Sequence, residues 1–387
     1  MLTALLFVGL PAQAIGTYGP GGNERTDFAA RAVMIQDQDS IVAAVQIDPE
    51  AAQLVTHWII PVPGVIEIEP QKITDEELED FLAASDPMYL ASGGASSMDC
   101  STGCVESVAD TGELSKVRLF DPDIAASGST IRIFRPSEMS SLIAAAQQFD
   151  IALGDEGMGI ITNYGAMGWS VVMIDLANGV SWDKAAPLLV YRYSGTEMVV
   201  PMALSRNVAR TELQTLVTVV APDRMEPAKT RGVEPKLGIP AYRPQMTRKF
   251  YNARVRVAIE EAGGRAWVLE YANTLEALAG RHRSLESNEE EDNENVIASS
   301  WPENPMGLVD SLASEGYLSM DYGQDAFVTR WRTYAAVADL EDEPFRKAKS
   351  NEVYDVYIDS HRDRVPQQGG FVLPFLAMGW LMRRRRE

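Results

Sequence analysis

The sequence predicts an α+β fold, strand-rich, with mixed or antiparallel sheets, a few helices and a short C-terminal hydrophobic helix. Three observations carry this. Short β-branched and apolar runs alternate with polar breaks over most of the chain, as in "RAVMIQDQDSIVAAVQIDPE". Only a few windows switch to a helical period, the first being "ITDEELEDFLAAS". At 387 residues, 46% hydrophobic and 23% charged, the chain can bury a substantial core in two domains or one large one.

The chain opens on "MLTALLFVGLPAQAIG": an apolar run from Leu2 to Leu10, a helix-breaking Pro11, then Ala12-Gln13-Ala14, the small-x-small pattern a signal peptidase accepts. Residues 1–14 read as a signal peptide without a basic n-region; the other reading is a buried first strand or helix. Residues 25–222 form a strand-rich α+β region. In it "SIVAAVQI" is a strand, and so is "LVTHWIIPVP", where Pro61 and Pro63 cannot donate to a ladder and demand an end, a bulge or an edge. Thr74 with Glu77 makes a capping box for the helix that follows, and Leu78, Phe81 and Leu82 share its face.

From Ser92 to Asp110 the composition turns to Gly, Ser and Cys. Cys100 and Cys104 sit close enough there for a small disulfide loop in an oxidising compartment. Free thiols and a metal site are the alternatives, the latter lacking two of a tetrahedral zinc's four ligands. Strand "STIRIF" (129–134) leads into "RPSEMSSLIAAAQQF", a helix with Ser137 as N-cap and Leu142, Ala145, Ala146 and Phe149 turned inward. A second helix around "EGMGIITNYGAMG" and strand "WSVVMIDL" (169–176) complete the unit. "APLLVYRYSGTEMVVPMALS" reads as two strands joined through Ser194-Gly195, and "TELQTLVTVVAP" as another.

Pro222 to Pro244, rich in Pro, Arg and Lys, marks a boundary before a smaller α+β region at 245–350. There "ARVRVAIEEAGGRAWVLEYA" suggests a hairpin about Gly263-Gly264, "ESNEEEDNEN" a solvated acidic insertion, and "FVTRWRTYAAVA" a late strand. "NEVYDVYID" is a further strand or the start of a stalk, 351–368. The last segment, 369–387, runs from Gly369-Gly370 through twelve mostly apolar residues to Arg383, Arg384, Arg385 and Arg386. Twelve helical residues rise about 18 Å against a hydrocarbon core of about 30 Å, too short to cross alone. Small residues, an apolar stretch and terminal arginines in that order match tripartite C-terminal sorting tags, with the arginines held on the cytoplasmic side. The other reading is an amphipathic or core-packed terminal helix with a solvated basic end. Together the ends predict export and retention at the membrane through the C-terminal segment.

An excess of 55 acidic over 34 basic residues, net charge -21, repels phosphate backbones and excludes nucleic acid as a partner. The chain carries no GxSxG, P-loop or GxGxxG, and no catalytic, cofactor or metal residues are assigned. Of the three histidines, His57 fills a strand position, while His282 and His361 lack a partner motif. Asp175, Glu197, Glu270 and Asp321 lie in or near strands and could serve a hydrolase, but with 55 acids such pairs arise by chance. "DPD" (121–123) and the acidic insertion lack the spacing of a calcium loop. Trp58, Trp169, Trp182, Trp267, Tyr191 and Tyr193 either fill the core or stack on sugars.

The order of "SIVAAVQID", "THWIIPVPG", the cysteine loop, "STIRIFRPSEMSSLIAAAQQFDIAL" into "MGWSVVMIDL", "LLVYRYSGTEMVVPMALS" and "FVTRWRTYAAVADLEDEPFRKA" resembles the bacterial family catalogued as domain of unknown function 2330, over roughly residues 25 to 350. The resemblance implies an export signal and in some members a hydrophobic C-terminus; it brings no activity. The expectation is therefore an exported envelope or cell-surface protein, a binding or structural module with a surface-protein or glycan partner. A hydrolase using carboxylates on glycans or peptides is the alternative, and an assembly subunit pairing through strand edges a third.

Overall fold

Successive residues of a strand turn to opposite faces, and in β2 (Asp27–Asp37) and β3 (Ser40–Ile47) both faces are apolar. Val33, Ile35, Val42 and Ala44 enter one core while Met34, Ile41, Ala43 and Val45 enter another. Such strands belong in a sheet covered on both sides. The computed structural model describes residues 17–18, 27–47, 57–73, 76–90, 130–149, 151, 153–175, 188–207, 212–235, 248–281, 304–319, 325–355 and 357–359. It places β2 and β3 at the centre of a nine-stranded mixed sheet.

The order across that sheet is β13 (Arg231–Val233), β14 (Ala266–Thr274), β15 (Phe327–Ala336), β11 (Glu212–Ala221), β2, β3, β9 (Leu188–Ser194) and β5 (Ile66–Ile73). β17 (Tyr354–Asp355) pairs with β14 off this path. β11–β2 and β13–β14 are parallel and the other pairs antiparallel. Residues 25–222 supply β2, β3, β5, β9 and β11, residues 245–350 supply β14 and β15, and β11 pairs with β15 along its whole length, so both regions build one sheet.

Helices α1 (Glu76–Ser85), α5 (Leu275–Gly280) and α6 (Gly307–Ser314) cover one face through Leu78, Phe81, Leu275 and Leu308. The other face meets a four-stranded antiparallel sheet, ordered β1 (Thr17–Tyr18), β4 (His57–Val62), β8 (Ser170–Asp175), β7 (Thr130–Phe134). All of β4 is buried, so this sheet too is covered on both sides, the second cover being α2 (Met139–Gln148) and α3 (Gly154–Ala166). Pro61 sits opposite Val171 of β8, and the short β1 leaves its other side unpaired among the described residues. Two small sheets remain: β10 (Met198–Val200), β16 (Glu343–Lys347) and β12 (Met225–Pro227), and the parallel pair β6 (Met88–Leu90) and β18 (Tyr357–Asp359).

Gly64 is where the chain passes from the small sheet to the large one. Its carbonyl accepts from Ser170 N–H at 3.0 Å, and the next carbonyl, Val65, accepts from Ser194 N–H at 2.9 Å. At φ +124°, a Cβ on Gly64 would stand 2.5 Å from the Ser194 oxygen.

Three sequence expectations are corrected. Residues 248–261 are not the first arm of a hairpin but α4 (Arg248–Glu261), with Tyr251, Val255 and Ile259 packed on Ala266, Val268 and Tyr334. Spacings of four decide, because they put one apolar stripe on the sheet. Ser137 lies in a 3-10 turn (Pro136–Glu138) ahead of α2, where Arg135 N–H donates to Glu138 Oε2 at 2.8 Å. Strands β9 and β10 flank Ser194-Gly195 as predicted, but they enter different sheets instead of pairing with each other. Among the described residues no helix is long and apolar enough to cross a membrane, and residues 369–387 lie outside them.

Candidate functional site

Glu270 is the extra residue at a bulge of β14, between Leu269, opposite Trp331, and Tyr271, opposite Arg330. A bulge re-aims a side chain, and here it turns the carboxylate into the core, where none of it is exposed. On β15, Arg330 and Arg332 share a face two residues apart. Arg330 Nε donates to Glu270 Oε2 at 2.9 Å. Arg332 Nη2 reaches the same oxygen at 3.3 Å, and its Nε lies 2.6 Å from Oε1 as an ion pair outside hydrogen-bond geometry.

The same arginine side chains finish a helix. α1 has no basic residue in its last turn, and its terminal carbonyls need partners. Arg330 donates to the Leu82 carbonyl, to Ser85 Oγ at 3.0 Å and to Asp86. Arg281, at the end of α5, donates to the carbonyls of Ala84 at 2.6 Å and Asp86 at 2.7 Å. It also grips the Asp355 carboxylate of β17, with Nε at 3.1 Å. Three guanidinium groups thus face three carboxylates, and the charges cancel. Burial opposes the charge on Arg332, but Glu270 leads the groups that hold its pKa above the ordinary value. Burial pushes the Asp355 carboxyl up against the pull of Arg281. With both oxygens engaged and no exposure, Glu270 is committed to holding β14, β15 and α1 together.

His57 is buried in β4, with its ring 4.7 Å from that of Phe149 and Asp175 opposite it in register. Glu197 is exposed between β9 and β10. Trp58, Trp169, Trp267, Tyr191 and Tyr193 are buried in the core. Cys100, Cys104, Asp321, His282, His361, Trp182, Gly369, Gly370 and Arg383 to Arg386 lie outside the described residues. Among the described residues no three His, Cys, Asp or Glu side chains come together as a metal site.

What the sequence reading missed is a cleft of about 540 Å³ between β12, β13, β16 and the end of α4. Its floor is Trp331, held by an Nε1 donation to the Met225 carbonyl at 3.0 Å. Gly232 lies directly on the ring, since a Cβ there would approach Cη2 to 2.8 Å. Arg224 Nη1 donates to the Glu352 carbonyl at 2.8 Å, and Nη2 stands 4.0 Å from Glu234. Its Nε is buried with no hydrogen-bond partner among the described residues. Arg346 pairs with Glu226 at 3.0 Å. Arg231 and Glu261 are exposed at the cleft, and no ion pair or hydrogen bond engages either side chain among the described residues. One sequence signal pointed here, the basic Pro222–Pro244 run, which supplies a wall of the cleft.

No family model and no curated protein matches the chain. Among solved structures it is similar to a mutated baculovirus P35 after caspase cleavage, at 11% identity over 50% of this chain and 65% of that one, TM-score 0.30. A structure of baculovirus P35 matches at 12% identity over 52% of this chain and 65% of that one, TM-score 0.28. The chain spans less than two thirds of each, and at these TM-scores the likeness carries no argument about fold or function.

Proposed function

We propose that this is an exported bacterial envelope protein of the domain of unknown function 2330 type, acting as a binding module directed to the envelope by residues 369–387, a sorting segment processed at Gly369-Gly370. Two features support it: the terminal segments carry a signal-like and a tag-like pattern, and the described residues form a cleft over Trp331. The cleft over Trp331 is the binding face, and Glu270, the carboxylate a hydrolase would have drawn from β14, is sealed in ion pairs.

The test is fractionation of cells carrying the full chain or a chain ending at Gln368. The full chain should sediment with the envelope and the shortened one should appear in the periplasm or medium. Identical fractionation of the two removes the tail as a sorting segment. In the same envelope material Cys100 and Cys104 should resist alkylation until reduced; two freely alkylated thiols would remove the disulfide.

A further inference from the structure

From the cleft over Trp331 we infer that this protein binds a short zwitterionic peptide, its carboxylate on Arg231 and its ammonium on Glu261. The inference rests on the reading of the chain as a binding module, not on where the module resides.

The charges that are already spent say what is left to offer. Arg346 and Glu226 neutralise each other at 3.0 Å. Arg224 spends Nη1 on the Glu352 carbonyl and sets Nη2 4.0 Å from Glu234, and its Nε is buried away from the cleft. Arg231 is left with a fork of the kind that matches a carboxylate. Glu261, at the end of α4 on the same cleft, offers the opposite charge.

Signs of both kinds choose between ligand classes. An anionic polysaccharide would meet Glu226, Glu234 and Glu261 inside the cleft and a net charge of -21 around it. A peptide carrying one carboxylate and one ammonium meets a complement for each. Beside the charged groups the lining includes Val233, Ala258 and Ala262 with the Trp331 ring. That suits small aliphatic side chains, and about 540 Å³ lies in the range of small-ligand sites.

The experiment is calorimetric titration of the purified full chain with tri-alanine, its C-terminal amide and its N-acetyl form. Tri-alanine should bind saturably, and either blocking group should weaken it about tenfold or more. Arg231→Gln should weaken tri-alanine as much as amidation does and add nothing when the amide is the ligand. Glu261→Gln should stand in the same relation to acetylation. Both residues are exposed, so the variants should unfold as the wild type does. Saturable binding missing up to about 10 mM would overturn the inference. So would an affinity that Arg231→Gln leaves unchanged, or equal binding of acetate alone, which would mean an adventitious ion only. None of these results depends on fractionation, so failure of the envelope reading and failure of the peptide site are told apart.

Discussion

Replacing Glu270 by Gln keeps size and shape at the centre of the buried network but removes one of its three negative charges. Arg330 keeps the Leu82 carbonyl, Ser85 and Asp86. Arg332, almost wholly buried, keeps Asn252 at 3.3 Å and a neutral amide in place of the carboxylate. The core is left with an uncompensated positive charge, and breaking one side of a buried pair costs about 3–5 kcal/mol. Against a usual folding stability of about 5–15 kcal/mol, that is a large fraction. Urea unfolding followed by tryptophan fluorescence should show the loss as a lower midpoint at unchanged slope. Arg332→Met alone should also destabilise, because Glu270 then faces Arg330 only. The double variant restores neutrality and should cost about 2 kcal/mol less than the sum of the single ones. An E270Q loss under about 1 kcal/mol, with additive single effects, would refute the network as a lock.

Arg281→Met removes the donors to Ala84 and Asp86 and the grip on Asp355. It should cost about 3 kcal/mol and speed hydrogen exchange at 354–359 ahead of the rest of the sheet; uniform exchange would contradict it. Gly64→Ala meets both the φ of +124° and the Ser194 oxygen, and should lose at least about 2 kcal/mol in urea unfolding, whereas Gly195→Ala, with open space around it, should lose less. Burial raises the pKa of Asp342, which accepts from Ala203 N–H at 2.8 Å and Tyr164 Oη at 3.1 Å, so its stabilisation is full below about pH 3.9 and is lost as pH rises through the higher folded value. Asp342→Asn should therefore gain stability relative to the wild type as pH rises through that window, and a difference that is flat or falls with pH would contradict the assignment.

Strands were legible from β-branched and apolar runs: "SIVAAVQI" is β3 to the residue, and β15 covers "FVTRWRTYAA" of the late strand "FVTRWRTYAAVA". Helix α1 was legible through the shared face of Leu78, Phe81 and Leu82. α4 was not, because Arg254-Val255-Arg256-Val257 alternates like a strand while the buried stripe on the sheet is Tyr251, Val255 and Ile259. In β15 alternation gives the strand but not the setting of Arg330 and Arg332. They are buried, and their partners lie far off in sequence: Glu270 for both, with Leu82, Ser85 and Asp86 for Arg330. The cleft was illegible for the same reason. Its charges come from β13, the end of α4, the turn before β12 and β16, and pairing among those elements, not their spacing along the chain, decides which charges stay free.

The intact mass of the native protein recovered from fractionated cells tests export and sorting most directly. An envelope-associated species that lacks residues 1–14 and ends at Gly369 or Gly370 is expected. A full-length species in the soluble cytoplasmic fraction would contradict both.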